Sequence, residues 1–190
     1  MSVKRCFWAN PKNPLYISYH DNEWGRPVHD DRKLLELLLL ESFQAGLSWE
    51  CILNKREAFR EAFDGFDLDK ILAYDDEKVA SLLANPGIIR NKAKIAAAIT
   101  NARVFKEIQA EYGSFDAYLR GMCPADVVYD HVSTTSPLSD ALSADLRRRG
   151  MKFMGSTTVY AFLQSIGVIN SHQPDCFLCA QQVNTNKHDT

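Results

Sequence analysis

The chain reads as all-α, and three observations predict that class. No stretch alternates apolar and polar residues with the two-residue period of a half-buried strand. Apolar residues recur instead at helical spacing, as in Val79, Leu82 and Leu83, or Val159, Phe162, Leu163 and Ile166. Short polar caps precede these runs, and glycine follows several of them.

In chain order, Asp30 or Asp31 caps a helix to about residue 43. Its leucines at 34, 35 and 37–40 cover most of the circumference, so it should be buried all round. Gly46 breaks it. Ser48 then caps a helix with Trp49, Ile52, Leu53, Phe59 and Phe63 on one stripe. Short helices are expected from Asp67 and from Asp75, the second stopping at Asn85-Pro86-Gly87. A longer one runs from Ile88 towards Gln109, and the Gly-Ser-Phe-Asp stretch opens another with Asp116 as its cap. Ser136-Pro137 is a start signal matched by a stop at Gly150, with Arg147, Arg148 and Arg149 in the last turn, where cations suit the dipole. Ser156 opens a final helix closed by Gly167. The total is seven or eight helices. A single domain is expected over 1–180, with a polar, frayed tail at 181–190.

Composition narrows the class. Apolar residues make up 46% and charged residues 24%, which excludes a disordered chain. No apolar run approaches the ~18 residues of a membrane span. The first residues show no signal-peptide core, and five cysteines, an odd number, fit a reducing cytoplasm better than a disulfide framework. Cys51 reads as a small buried hydrophobe.

Cys6 and His20 near one end, with His172 and Cys176 near the other, make a two-plus-two set suited to tetrahedral Zn²⁺. Cys179 competes with Cys176, because both lie at zinc spacing. Four protein ligands leave no open position, so such a site is structural. His29, His131 and His188 lack a partner at ligand spacing and read as solvated or core residues.

Residues 87–106 contain five basic and no acidic residues, although the whole chain carries a net charge of −2. The turn at Gly87, followed by Arg90, Lys92 and Lys94 at a new helix start, suits DNA phosphates. A second basic cluster spans 147–152. The first fifty residues hold Phe7, Trp8, Tyr16, Tyr19, Trp24, Phe43 and Trp49, including every tryptophan of the chain. Rings can build a core, or a slot that stacks a planar base. Glu41 falls late in the most apolar helix. It is either at the surface by register or buried for a purpose, and if buried it needs a donor or a cation.

These motifs match a known family. Arg5-Cys6-x-Trp8, Pro14-Leu15-Tyr16-Ile17-x-Tyr19-His20-Asp21-Asn22-Glu23-Trp24-Gly25, Glu41-x-x-Gln44-Ala45-Gly46-Leu47-Ser48-Trp49, Gly87-Ile88-Ile89-Arg90, Ser139-Asp140-Ala141-Leu142-Ser143 and Arg149-Gly150 resemble those of bacterial DNA-3-methyladenine glycosylase I. The resemblance runs from about residue 5 to residue 176. It implies a helix–hairpin–helix DNA glycosylase fold, the hairpin at about 75–106, with a zinc site joining the N- and C-terminal segments through Cys6, His20, His172 and Cys176. It carries base recognition to Glu41, ring contacts to Trp8, Tyr16, Tyr19 and Trp49, and the duplex wedge to Gly46 and Leu47.

The implied activity is excision of 3-methyladenine from alkylated double-stranded DNA by base flipping, leaving an abasic site. The methylated purine already carries a positive charge, so no general acid is expected, and no lysine stands out as a Schiff-base nucleophile. A monomer working in the bacterial cytoplasm on the nucleoid, with no membrane partner, completes the expectation. The chain departs from the family at Ser42, where glycine is usual. Two other classes compete: a zinc-stabilised DNA-binding module, which would not release bases, and a zinc hydrolase, which would need an open metal position.

Overall fold

A computed structural model describes residues 3–179. Its elements are α1 (Pro14–Asn22), α2 (Asp31–Gln44), α3 (Trp49–Asn54), α4 (Arg56–Ala62), a 3₁₀ turn (Asp64–Phe66), α5 (Leu68–Leu72), α6 (Asp76–Ala84), α7 (Lys92–Tyr112), α8 (Phe115–Met122), β1 (Val128–Tyr129), α9 (Pro137–Arg148), α10 (Ser156–Ser165) and β2 (Ile169–Asn170). The two strands form one short parallel pair, Val128 opposite Ile169 and Tyr129 opposite Asn170. The expected tail at 181–190, His188 included, lies outside the described residues. Among the described residues, no helix is long and apolar enough to cross a membrane.

Helix α2 is the axis of the core, packed against α3, α7, α8 and α10. Its leucines at 34, 35 and 37–40 are all buried, as the all-round apolar pattern requires. The Asp30 carboxylate accepts from Lys33 N at 2.8 Å and starts the helix. Asp31 turns outward from that start. Its oxygens accept from Phe115 N (2.8 Å) and Asp116 N (3.0 Å) and so satisfy free N–H groups at the start of α8.

Five local readings change. The helix expected from Ser48 to Phe63 is two helices, broken at Lys55, whose backbone (φ −103°, ψ 0°) leaves the helical range. No glycine or proline marks this break. Helix α7 starts at Lys92 under an Asn91 cap, not at Ile88. The cap of α8 is Ser114, whose Oγ accepts from Ala117 N at 2.9 Å; Asp116 lies within the first turn, paired with His29 (2.9 Å) and Arg120 (2.9 Å). Cys51 is only half-buried. The apolar pattern does not predict helix α1, because Leu15 and Ile17 spread apolar residues around it, although Tyr16, Tyr19 and His20 form the one buried face. Asn13 caps it by accepting from Leu15 N at 3.1 Å, and Pro14 occupies its first turn.

A charged network fastens α1, α2 and α4 together. Arg56 is 4% exposed and donates from Nε to Glu36 at 2.7 Å and from both Nη atoms to Glu23 at 3.1 and 3.0 Å. Arg60 reaches Glu36 at 2.8 Å, and Lys33 bridges Glu23 (3.1 Å) and Glu36 (3.2 Å). Burial pushes the Glu36 carboxyl up, but Arg56, Arg60 and Lys33 more than offset it and hold the group below its ordinary value of 4.5. A carboxylate depressed in the folded state stabilises above its unfolded pKa and loses that contribution as pH falls through the folded value. Arg56→Met should therefore cost about 3–5 kcal/mol in urea unfolding at pH 7. The gap between variant and wild type should narrow as pH falls below 4.5.

Candidate functional site

The end of α2 projects Glu41 into a cavity of about 260 Å³. Phe7, Trp8, Tyr16, Tyr19, Trp24 and Trp49 supply its rings. They pack on one another: Trp8 lies 5.3 Å from Tyr16 and 4.7 Å from Trp24, and Tyr19 lies 5.3 Å from Trp49, centroid to centroid. Glu41 is 4% exposed, and its Oε2 is buried with no hydrogen-bond partner. Desolvation pushes this carboxyl up to about 8. The register that α2 needs to bury its leucines leaves Glu41 facing inward as well, so the carboxylate is buried and not at the surface.

The structure thus brings together Glu41, Trp8, Tyr16, Tyr19 and Trp49. Phe43, from the same ring-rich stretch, lies apart in the main core against Phe59 and Phe63. Ser42 also stays out of the cavity. Its hydroxyl donates to the Leu39 carbonyl one turn back at 2.6 Å.

Sequence reasoning missed the polar part of the lining: His131, Ser133, Gln164, Ser171 and Gln173. These come from the loop after β1, from α10 and from the chain after β2, with no local pattern to betray them. Asp130 holds that loop by accepting from Val132 N and Ser133 N, each at 3.0 Å. Both ring nitrogens of His131 are buried without a partner. Gln44 also lines the cavity.

Beside the cavity the two ends of the described chain meet. The donor atoms of Cys6, His20, His172 and Cys176 all lie within 4.8 Å of one another, and all four residues are buried. The Cys6 Sγ–His172 Nδ1, Cys176 Sγ–His172 Nδ1 and Cys176 Sγ–His20 Nε2 separations are 3.6, 3.6 and 3.5 Å. A tetrahedral ion with metal–sulfur and metal–nitrogen bonds of zinc length places such atoms about 3.6 Å apart. The donor set fits. Burial, with the neighbouring Cys176, pushes the Cys6 thiol up to about 12, and burial, with the neighbouring His20, pushes the His172 imidazole down to about 4; a divalent cation offsets the cost of the thiolate. His20 Nδ1 lies 2.7 Å from Asp21, whose carboxyl the Arg5 hydrogen bond at 2.7 Å holds low. Gly25 sits at φ +75°, and a Cβ there would come within 3.2 Å of His172 Nε2. Cys179, buried next to Cys176, is not in the group. Trp8 and Trp24 touch both sides, at 5.1 Å from the His20 ring and 4.6 Å from the His172 ring respectively.

The basic turn lies between α6 and α7. Arg90 and Lys92 are exposed. One expectation there needs correction, and it concerns Lys94. The Gly87 N–H donates to Asn85 Oδ1 at 2.8 Å, and a Cβ on Gly87 would come within 2.9 Å of the Ala58 Cβ. Its smallness serves close packing of the turn on α4. Lys94 does not face solvent. It is 7% exposed, and its ammonium donates to the Phe43 carbonyl at 2.7 Å and the Ala45 carbonyl at 2.6 Å. Gly46 has φ +80° with open space around it, and Leu47 is 41% exposed at the tip of the turn after α2.

Residues 8–179 match the family model described as Methyladenine glycosylase. The chain is 40% identical over 180 residues to DNA-3-methyladenine glycosylase 1 of Escherichia coli, which covers 92% of this chain and 96% of that protein. It superposes on a crystal structure of 3-methyladenine DNA glycosylase I with a TM-score of 0.88 at 42% identity, covering 92% of this chain and 99% of that one. The 3-methyladenine DNA glycosylase I of Staphylococcus aureus, solved for its recognition of 3-methyladenine, gives a TM-score of 0.83 at 35% identity over 87% of this chain and 91% of its own. The chain belongs to the methyladenine glycosylase family.

Proposed function

We propose that the chain excises 3-methyladenine from alkylated duplex DNA by hydrolysing the N-glycosidic bond, leaving an abasic site. The observation that carries this reading is the unpartnered Glu41 Oε2 in a ring-lined cavity. A cavity of about 260 Å³ lies just below the ~300–1,000 Å³ of drug-sized pockets and suits one flat heterocycle. The base reaches it by leaving the helical stack. Trp8, Tyr16, Tyr19 and Trp49 give it aromatic contact, and Leu47 on the Gly46 turn enters the duplex as the wedge.

Methylation at N3 makes the attached purine cationic. The arriving cation and its exocyclic amine give Glu41 the partner that it lacks in the empty cavity, so the carboxylate ionises against the base. An ionised carboxylate accepts hydrogen bonds only, so it suits the adenine amine and opposes the O6 acceptor of guanine. Water attacks the sugar C1′ and the base departs neutral, which removes the need for a general acid. All these groups come from one chain, so a single copy is a complete enzyme. Helices α6 and α7 with the turn between them act as the helix–hairpin–helix element, and Arg90 and Lys92 meet backbone phosphates. The metal is zinc, held by Cys6, His20, His172 and Cys176; with four protein ligands it cross-links the chain and does no chemistry.

Three outcomes follow. Glu41→Gln keeps the shape and should lower single-turnover release of 3-methyladenine by about one to two orders of magnitude, since a charge-assisted hydrogen bond is worth roughly 1.5–3 kcal/mol. It should also relax discrimination against 3-methylguanine. The same variant should stabilise the free protein. A carboxyl raised from 4.5 to about 8 on folding costs stability progressively as pH rises across that window. The melting temperature of Glu41→Gln should therefore exceed that of wild type at pH 8, and the difference should vanish towards pH 4.5.

Elemental analysis should find one zinc per chain. Cys6→Ser or Cys176→Ser should remove it with a loss of thermal stability, whereas Cys179→Ser should retain it. Arg90→Ala and Lys92→Ala should each weaken binding to any duplex and reduce the slope of log K against log salt by about one unit, read by fluorescence anisotropy.

A further inference from the structure

Two lysines end on backbone carbonyls of another segment: Lys94, buried in the basic stretch, and Lys55, half-buried and outside it. Lys94 Nζ donates to the Phe43 and Ala45 carbonyls at 2.7 and 2.6 Å. Those carbonyls lie at the C-terminal end of α2, where a helix leaves acceptors unsatisfied and favours a cation. Helix α2 has no basic residue in its own last turn, and Ala45 at its end has φ −45° and ψ 113°. Lys94 is placed by the turn itself, because its N–H donates to the Asn91 cap of α7 at 3.1 Å. Its ammonium is 51 residues away in sequence from Phe43.

Lys55 makes the reciprocal connection. It sits at the unexpected break between α3 and α4, and its Nζ donates to the Pro86 carbonyl at 3.1 Å and the Gly87 carbonyl at 3.3 Å. Gly87 in turn lies against Ala58, with no room for a Cβ between them. The stretch from residue 41 to residue 58 carries Glu41, the Gly46-Leu47 tip and Trp49. It is therefore tied to the turn between α6 and α7 through Lys94 near its start, through Lys55 further on and through Ala58 at its end. The tip between these ties has little support of its own. Leu47 N donates to the Gln44 carbonyl at 2.6 Å, Gly46 has nothing within 4 Å of its Cβ position, and Leu47 is half exposed.

We propose that Lys94 and Lys55 are positioning residues that fasten the base-binding segment to the duplex-binding turn, so that DNA seated on Arg90 and Lys92 meets the Leu47 tip and Glu41 in one fixed register. Neither lysine touches the base or the phosphates. Each acts through the carbonyls it holds. The inference rests on the glycosylase reading above and adds to it the means by which backbone docking is converted into alignment of wedge and pocket. Burial holds the Lys94 ammonium below its usual pKa, as withdrawal from solvent requires.

The experiment compares wild type with Lys94→Met, Lys94→Arg and Lys55→Met in three assays. These are tryptophan-fluorescence binding of free 3-methyladenine, affinity and salt slope on undamaged duplex, and single-turnover release of 3-methyladenine from methylated duplex. For Lys94→Met the expected result is free-base affinity and salt slope equal to wild type with release slowed at least tenfold. Lys94→Arg, which keeps a cation for the same carbonyls, should recover part of that loss, and Lys55→Met should show a smaller loss of the same kind. Release at the wild-type rate in both Met variants overturns the inference. So does a salt slope reduced by about one unit per lysine, which would make them phosphate ligands, and so does a parallel loss of free-base binding, which would make the role one of pocket integrity. A wild type that releases no 3-methyladenine overturns the glycosylase reading, and this inference with it. A wild type that does, matched by its variants, overturns this inference alone.

Discussion

The constraint on which the rest of the molecule depends is the burial of one carboxylate without a partner. A Glu41 oxygen held out of water inside a ring-lined cavity costs free energy in the empty protein, and the fold must supply that cost elsewhere. It does so through α2, whose leucines bury on every side and fix its register against α3, α7, α8 and α10. A helix packed on one face only could roll to release the carboxylate into solvent. One packed all round cannot. In the function proposed above that cost becomes selectivity, because a ligand bringing a positive charge and a hydrogen-bond donor relieves it.

The same logic explains why the cavity adjoins the metal-ligand cluster. Apart from Trp49 of α3, the rings that line the cavity come from the short helix α1 and its flanking chain, which have little regular structure to hold them. Cys6, His20, His172 and Cys176 draw those segments against the last residues of the described chain, and Trp8 and Trp24 pack on the ligand imidazoles. Helix α1 is held from its other side by Glu23, which meets Arg56 and Lys33. One link through the Cys/His cluster, which could hold a metal, and one through ion pairs therefore hold the helix that carries Tyr16 and Tyr19. Neither cross-link needs to take part in the chemistry for the chemistry to depend on it.

Charge is divided by position and not by total. The chain is slightly acidic overall, yet Arg90 and Lys92 stand exposed at the start of α7, where the helix dipole adds to their field. Lys94, two residues on, is turned inward. Lys94 holds the start of α7 to the end of α2, and the exposed Arg90 and Lys92 are the residues that the proposed function assigns to phosphates. Within one run of charged residues, the direction of each side chain separates the buried cation from the exposed ones.

Most helix boundaries were legible because they are set by neighbours within four residues. Asp30, Ser48, Asp67, Asp75 and Ser136 cap the helices that follow them, as their spacing from the first N–H groups requires. The burial of α2 followed from its composition, and the four-residue ligand set from residue types and spacing joined to a family resemblance. The sequence by itself therefore determined the helical class, the main core and the candidate ligands and rings. The tertiary structure decided what depends on distant groups. It bent the chain at Lys55, turned Lys94 onto carbonyls of α2, took the Gly87 N–H for Asn85 and moved the cap of α8 from Asp116 to Ser114. It also set His131 and its polar neighbours into the cavity wall. A long side chain or a loop takes its direction from whatever acceptor or opening the rest of the fold places within reach, and no local pattern encodes where that will be.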